Sequence, residues 1–193
     1  MKKILFAFIL LLSINSIAQS NIATVKKIQG ILVFSDNEPI ANYLVYGEVS
    51  ISSTEELERE LQQNRGQYQT VRDYLIKKTR LSNSQADGLI LYLVNGGIDK
   101  ALVIKFKENE ANINQARVNN YQGISIFIDC EPINKYEYLG SVKSLVTFAS
   151  GQYQPVRDNL IRKTKKEFKN ANGLILKLVS GGADNGDAIL IKE

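Results

Sequence analysis

The chain has 193 residues, of which 24 are Lys or Arg and 20 are Asp or Glu, so its formal charge is +4. It contains no His and a single Cys. These counts exclude a Ser-His-Asp triad, a Cys-His dyad, the zinc sites that need His and a cluster of thiolates. One Cys also excludes an internal disulfide, so the stability of the fold has to come from burial of apolar side chains.

The N-terminal segment has the pattern of a secretory signal. Lys2 and Lys3 precede an apolar run, Ile4 to Leu12, and the segment closes on the small residues around Ala18. We therefore expect a signal peptide over residues 1–18 and a periplasmic or secreted protein. The apolar run is shorter than the roughly 20 residues that span a bilayer, so we expect no transmembrane segment.

The net charge of the chain indicates which kinds of partner it can bind. Removal of residues 1–18 takes away two lysines and lowers the formal charge from +4 to +2. A near-neutral charge balance gives no electrostatic footprint for a nucleic-acid polyanion. We therefore expect no nucleic-acid partner.

The sequence repeats itself. GQYQTVRDYLIKKT from Gly66 returns as GQYQPVRDNLIRKT from Gly151, and 24 of the 43 residue pairs at this offset are identical. Upstream, QGILVFSDNEPI from Gln29 aligns with QGISIFIDCEPI from Gln122. Such self-similarity indicates two copies of one small domain. We place repeat domain 1 at 25–108, a linker at 109–117 and repeat domain 2 at 118–193.

Each repeat begins with two predicted strands. The apolar run at 31–34 and the run at 43–49, which is rich in Tyr and Val, predict two strands joined by a turn. The turn contains Pro39 in the first repeat and Pro132 in the second. Proline has no backbone donor, so we expect both prolines in the connection and outside any strand ladder.

A helix and two more strands follow. From Tyr68 and from Tyr153, apolar residues recur at spacings of three and four, which predicts an amphipathic helix. LILYLV and LILKLV then predict central strands, and a double glycine leads into the last strand. We expect an α+β fold of two tandem ββαββ repeats, each a mainly antiparallel sheet with one helix packed on one face.

The predicted helices carry a repeated Val-Arg-Asp motif at 71–73 and 156–158. Arg72 and Arg157 are candidates to bind an anionic ligand, one in each copy. The pattern favours a solvated helix face with local ion pairs over such a site. Tyr68 and Tyr153, at the start of the helices, favour core residues over a binding platform.

Four tyrosines belong to the second predicted strand of the repeats: Tyr43, Tyr46, Tyr136 and Tyr138. If they are exposed, they form an interaction patch. Tyr136 and Tyr138 are therefore candidate ligand-binding residues.

Acidic residues supply the candidates for metal binding. Asp99 and Asp184 follow the double glycine of their repeats, and Asp187 comes shortly after Asp184. Oxygen ligands on a glycine-rich turn suit Ca²⁺, although the spacing is not that of an EF-hand loop. The alternative is an ordinary hairpin turn, because Asp and Gly are common turn formers. We expect no cofactor.

Two Asp-x-Glu pairs and the single thiol complete the candidates. Asp36 with Glu38, and Asp129 with Glu131, could provide general acid and base groups. Cys130 takes the place of Asn37 in the second repeat, which favours a half-buried turn thiol over a reactive thiol or an intermolecular disulfide.

The motifs of each repeat resemble a known group of proteins. YEYLGSV at 136–142, the helix with Arg and Leu, and the strand entry Ala-Asp-Gly-Leu-Ile or Ala-Asn-Gly-Leu-Ile resemble small, uncharacterised envelope proteins from Bacteroidota. They are also similar to YbjQ-like and RcsF-like α+β domains. The resemblance to YbjQ-like domains implies ring oligomers and heavy-metal binding, but the chain has no His and no clustered Cys. The cysteines of RcsF-like proteins have no match here.

These observations favour an exported, non-catalytic binding or interaction module of the cell envelope. Its partner would be an unknown envelope protein, a small ligand or a second copy of the chain. The alternative is a carboxylate-based hydrolase or a calcium-dependent binding protein. That alternative would use Asp99 and Asp184, or the Asp-x-Glu pairs.

Overall fold

The computed structural model describes residues 21–51, 67–94, 98–144, 153–178 and 183–192. The predicted signal peptide and the two double-glycine turns lie outside the described residues. We call residues 21–108 the first half of the chain and residues 109–192 the second half.

The first half contains seven strands and one helix among its described residues. They are β1 (Ile22–Val25), β2 (Lys27–Ile28), β3 (Ile31–Ser35), β4 (Asn37–Pro39), β5 (Tyr43–Ser50), α1 (Gln67–Ser82), β6 (Gly88–Tyr92) and β7 (Lys100–Phe106).

The described part of the second half contains the same kinds of element in the same order. They are β8 (Gln115–Val118), β9 (Asn120–Tyr121), β10 (Ile124–Phe127), β11 (Cys130–Pro132), β12 (Tyr136–Lys143), α2 (Tyr153–Glu167), β13 (Gly173–Lys177) and β14 (Asn185–Ile191). Residues 115–117, which fall in the predicted linker, belong to β8.

Two of the sheets have five strands each. Their strand orders are β2-β3-β6-β7-β5 in the first half and β12-β14-β13-β10-β9 in the second. The pairs β3–β6 and β10–β13 are parallel, and the other pairs in these sheets are antiparallel. The α+β class predicted from the sequence is confirmed.

Both halves contribute to a third sheet. Its order is β11-β1-β8-β4, and each of its three pairings joins a strand of one half to a strand of the other. At its centre, Ala23 pairs with Ala116, and both side chains are fully buried. The ββαββ plan is therefore wrong in this respect, because it omits the four short strands that build this sheet.

Two further expectations about the strands are wrong. β3 and β5 do not form a hairpin, because β3 pairs with β2 and β6 while β5 pairs with β7. Pro39 and Pro132 lie within β4 and β11. These are the edge strands of the four-stranded sheet, where a residue without a backbone donor is tolerated.

Three hydrophobic clusters hold the elements together. The first lies between the three sheets and includes Phe34, Phe127 and the paired alanines. The second lies under α1 and the third under α2, where Leu75 and Leu160 are fully buried. Each of these leucines contributes about 1.5–3 kcal/mol by leaving water. Each helix thus packs on the outer face of its own five-stranded sheet.

Candidate functional site

Among the described residues, the buried charged side chains lie where the two halves meet. Arg72, on α1, is only 9% exposed. Its Nη1 donates to both oxygens of Asp129 at 3.0 Å, and its Nε donates to Asp73 at 2.8 Å. Burial alone lowers the pKa of the guanidinium, but Asp129 and Asp73 together raise the pKa above its ordinary value.

Tyr68 completes this first cluster. Its hydroxyl donates to Oδ2 of Asp129 at 2.6 Å, and the hydroxyl oxygen of Ser35 lies 2.8 Å from the phenol oxygen. Burial, followed by the charge of Asp129, raises the pKa of Tyr68 well above its ordinary value. The phenol therefore stays protonated and serves as a donor to the carboxylate. The prediction that Tyr68 is a core residue is confirmed, and so is that for Tyr153.

A second cluster has the same design with the halves exchanged. Nη1 of Arg157 on α2 donates to Asp36 at 3.1 and 3.4 Å. Tyr153 and Tyr121 donate their hydroxyls to the same carboxylate, the latter at 2.9 Å. The Arg157 guanidinium lies over the ring of Tyr121, 3.9 Å from its centroid. A stacked and paired arginine of this kind is held in one orientation.

Backbone geometry aims the two carboxylates. Asp36 follows β3 and Asp129 follows β10, and both have a positive φ, of 52° and 53°. Aspartate is one of the few residues that adopts this left-handed conformation without severe strain. Each sharp turn directs a carboxylate of one half toward the helix of the other half. The rings of Tyr68 and Tyr153 lie 5.5 Å apart between the two clusters.

The burial and the partners of the two arginines determine whether they can bind an anionic ligand. The solvated helix face that the sequence pattern favours is wrong, because Arg72 and Arg157 are 9% and 8% exposed. The expected local ion pairs to Asp73 and Asp158 are present. Most of the guanidinium donors are directed at carboxylates, so an anionic ligand would have to displace Asp129 or Asp36. We name these two groups the Arg72 cluster and the Arg157 cluster.

The candidate tyrosines of the second half lie on an exposed edge. β12 is the terminal strand of its sheet, and Tyr136 and Tyr138 on it are 41% and 58% exposed. β5 has the same place in the other sheet. There Leu44, Val45 and Tyr46 are each about half exposed. Sequence reasoning identified the tyrosines here but missed the aliphatic neighbours, because only a strand at the edge of a sheet leaves them uncovered.

The candidate metal ligands lie in separate surroundings. Asp99 accepts a hydrogen bond from the Val94 amide at 2.9 Å, and burial raises its pKa while that hydrogen bond opposes the shift. Asp187 pairs with Lys177 at 2.5 Å and accepts a hydrogen bond from the Ser141 hydroxyl at 2.5 Å.

Asp184 lies just before β14, and its carbonyl oxygen accepts a hydrogen bond from the Ser144 amide. In the part of the chain that the structure describes, no group of three acidic or Cys side chains could hold a metal ion.

Cys130 is fully buried, so the expected half-buried thiol is wrong. Its sulfur accepts a hydrogen bond from the Asn37 side-chain amide at 3.6 Å, and its side chain is 2% exposed. Burial raises its pKa to about 12. A thiol with that pKa is not a thiolate near neutral pH, so it behaves as a small apolar group of the core.

The partners of the buried arginines were not predicted from the sequence. Asp36 and Asp129 stood out only as members of Asp-x-Glu pairs. The available signal was that Asp recurs before Glu-Pro in both halves, as Arg recurs in both helices. Neither of the described helices has the length and apolar composition needed to cross a membrane. Comparison with protein-family models, curated proteins and solved structures found no match to this chain.

Proposed function

We propose that the chain is an exported, non-catalytic binding module of the cell envelope in which one small α+β unit occurs twice. The pairing scheme supports the duplication. Ala23 and Ala116 are aligned positions, and they pair with each other. Exchanging the halves leaves the order of the four-stranded sheet unchanged, as a two-fold axis would.

The binding surfaces in this proposal are the edge strands β5 and β12. The observation that carries the proposal is that both edges expose large apolar side chains, foremost Val45 at 55% and Tyr138 at 58%. These two residues are aligned positions of the repeat. Exposed apolar groups on a sheet edge are costly unless they serve an interaction, since such edges invite association.

The partner that suits these edges is an extended polypeptide segment of another envelope protein. An edge strand offers one row of backbone donors and acceptors to an added strand, and exposed side chains provide specificity. Each edge strand has an irregular register against its neighbour, between Val45 and Gly47 in β5 and between Tyr138 and Gly140 in β12. Such irregularities limit regular pairing, so the added strand would pair with the first residues, from Tyr43 and Tyr136 onward.

A binding role agrees with the chemistry of the buried groups. Asp36 and Asp129 are already held by arginine and tyrosine donors. The chain has no His to act as a general base. The predicted signal peptide and the near-neutral charge support an envelope location and a protein partner.

The proposal can be tested with linear peptides. The chain from residue 19 onward would be used to select binders from a phage-displayed peptide library, and the best peptide would be titrated by calorimetry. We expect two peptides bound per chain, one at each edge. Val45→Lys and Tyr138→Lys should each remove one of the two sites, because a charge at the edge opposes strand addition.

Leu81→Lys is the matched control, because Leu81 is an apolar residue of α1 that is 83% exposed and belongs to neither edge strand. It should leave both sites intact. A selection without enriched peptides would contradict the proposal. So would peptides whose binding is unchanged in the Val45→Lys/Tyr138→Lys double variant.

A further inference from the structure

A second surface, formed by α2 and the turn after it, is strongly basic. On α2, Arg162, Lys165 and Lys166 lie at spacings of three and four and are exposed, so they occupy one face of the helix. Lys169 follows in the turn after the helix and is also exposed. We call these four residues the basic face.

Within the described part of the chain, Asp158 is an acidic residue at contact spacing from the basic face, four residues before Arg162, and it pairs with Arg157. No ion pair there includes any of the four residues. Lys165 donates to the Gln122 carbonyl oxygen at 3.1 Å, which leaves its charge uncompensated. Glu167 is adjacent to Lys166 in sequence, and adjacent residues of a helix do not face each other. Like charges four residues apart, as at Arg162 and Lys166, weaken a helix.

The fold itself does not require this charge. Cations near the C-terminal end of a helix are favoured by its dipole, but α1 ends with only Arg80 in its last turn. At the positions aligned with the basic face, the first repeat has Lys77, Arg80, Leu81 and Ser84. The full set of four cations is therefore particular to the second half, which points to a role beyond stabilising the helix.

We propose that the basic face docks the protein on an anionic phospholipid surface. The occupant follows from charge complementarity, since the face is a convex helix surface that presents mainly lysines. Lysine is a mobile point charge, which suits the diffuse charge of a lipid surface better than the fixed carboxylate of a peptide. Each cation near such a surface strengthens binding by roughly fivefold. The basic face contains no residue of β5 or β12, so the inference goes beyond the proposed peptide binding.

Vesicle sedimentation tests the inference with the chain from residue 19 onward, which retains every described element and lacks the apolar leader. Vesicles of phosphatidylcholine alone would be compared with vesicles that also contain phosphatidylglycerol. We expect binding only to the anionic vesicles, and loss of that binding at about 1 M salt, where the screening length falls to about 3 Å. Replacing the four basic-face residues by Gln should weaken binding at least about tenfold.

A matched control removes the same charge elsewhere, by changing four exposed lysines of other surfaces to Gln: Lys27, Lys107, Lys135 and Lys192. It should bind the anionic vesicles nearly as the unchanged chain does. Equal losses in the two variants would overturn the inference, as would equal binding to both kinds of vesicle. Tighter binding to soluble polyglutamate than to the anionic vesicles would also overturn it, in favour of an acidic peptide. The peptide titration with Val45→Lys and Tyr138→Lys is independent of all these outcomes.

Discussion

Arg72 and Arg157 each neutralise a carboxylate from the other half of the chain. An ion pair of this kind adds little net stability, because removing two charges from water nearly offsets their attraction. Its larger effect is to disfavour other arrangements of the two halves, because any arrangement that separates the pair leaves a buried charge without a partner. We infer that the Arg72 and Arg157 clusters specify how the halves fit together.

Removal of one member of the pair is therefore expected to be costly. Asp129→Asn should lower the free energy of unfolding by about 3 kcal/mol, because the buried guanidinium of Arg72 loses its counter-charge. Urea denaturation followed by circular dichroism measures this change. The Asp129→Asn/Arg72→Met double variant should lose less than the sum of the two single variants.

Asp73→Asn provides the control at the same arginine. The side chain of Asp73 is 42% exposed, and water screens its pair with Arg72. Its loss should change the stability by no more than about 0.5 kcal/mol. If Asp129→Asn and Asp73→Asn lower the free energy of unfolding equally, the ion pair between the halves contributes no more to stability than the local ion pair.

The buried tyrosines predict a loss of stability in alkali. Burial raises the pKa of Tyr68 and Tyr153 in the folded chain well above the ordinary value of 10.0. As the pH rises past that value, the unfolded chain loses these protons first, so folding becomes less favourable. The stabilisation is complete below about pH 10 and falls above it. Thermal melting measured through this range should show a shallower alkaline fall for Tyr68→Phe than for the unchanged chain.

At the scale of the elements, β5 and β12 differ in the surroundings of one aligned glycine. A Cβ built on Gly140 of β12 would lie 2.4 Å from the Phe168 ring, whereas a Cβ on Gly47 of β5 has no neighbour within 4 Å. The two glycines are aligned positions, and the first half has Asn83 where the second has Phe168. The packing and the backbone angle of Gly140, whose φ is 156°, thus require glycine at one edge only.

Alanine at these positions should separate the two edges. Gly140→Ala should destabilise the protein by about 1–3 kcal/mol, the range for overpacking at a tight site. Gly47→Ala should be nearly neutral. Differential scanning calorimetry of the two variants makes the comparison. If the two variants have the same melting temperature, the ring of Phe168 moves aside at no cost in stability. Its packing against β12 then does not constrain the residue at position 140.

Prediction from the sequence worked best for the longer elements. α1 and α2 were located because apolar residues recur with the helical period over several turns. The strands β1, β4, β8 and β11 were missed. They have only three or four residues each, too few to show a period, and their partners are distant in sequence.

At the scale of the whole molecule, the four-stranded sheet interlocks the halves. Its strands alternate between them, and the hydrophobic cluster between the sheets contains side chains from both. Neither half can keep its share of this sheet without the other. We therefore expect the described residues to unfold as one cooperative unit, although the sequence reads as two domains.

Cutting the chain between the halves tests this expectation. A recognition sequence for a specific protease can be inserted between Glu108 and Asn109, which are both exposed and lie between β7 and β8. After cleavage, we expect the two fragments to elute together as a one-to-one complex by size exclusion with light scattering. Their thermal unfolding should remain a single transition.

Separation of the cleaved fragments into two independently folded species would contradict this picture. Thr24→Pro gives a second check, because Thr24 lies in β1 and is flanked by Gln115 and Glu131. A proline in a central strand removes a ladder hydrogen bond, and proline is therefore found almost only on edge strands. In the cleaved chain it should promote dissociation of the fragments, whereas Thr24→Val should not.

The sequence by itself determined the α+β class, the two amphipathic helices and the tyrosine-rich strands. These depend on periods and turn residues that act over a few positions. Only the tertiary structure decided that Asp129 meets Arg72, that Cys130 is buried and that β5 and β12 are the terminal strands of their sheets. The physical reason is that each of these outcomes depends on which distant strands pair. A few short strands make that choice, because their pairing is favourable only when both halves are in place.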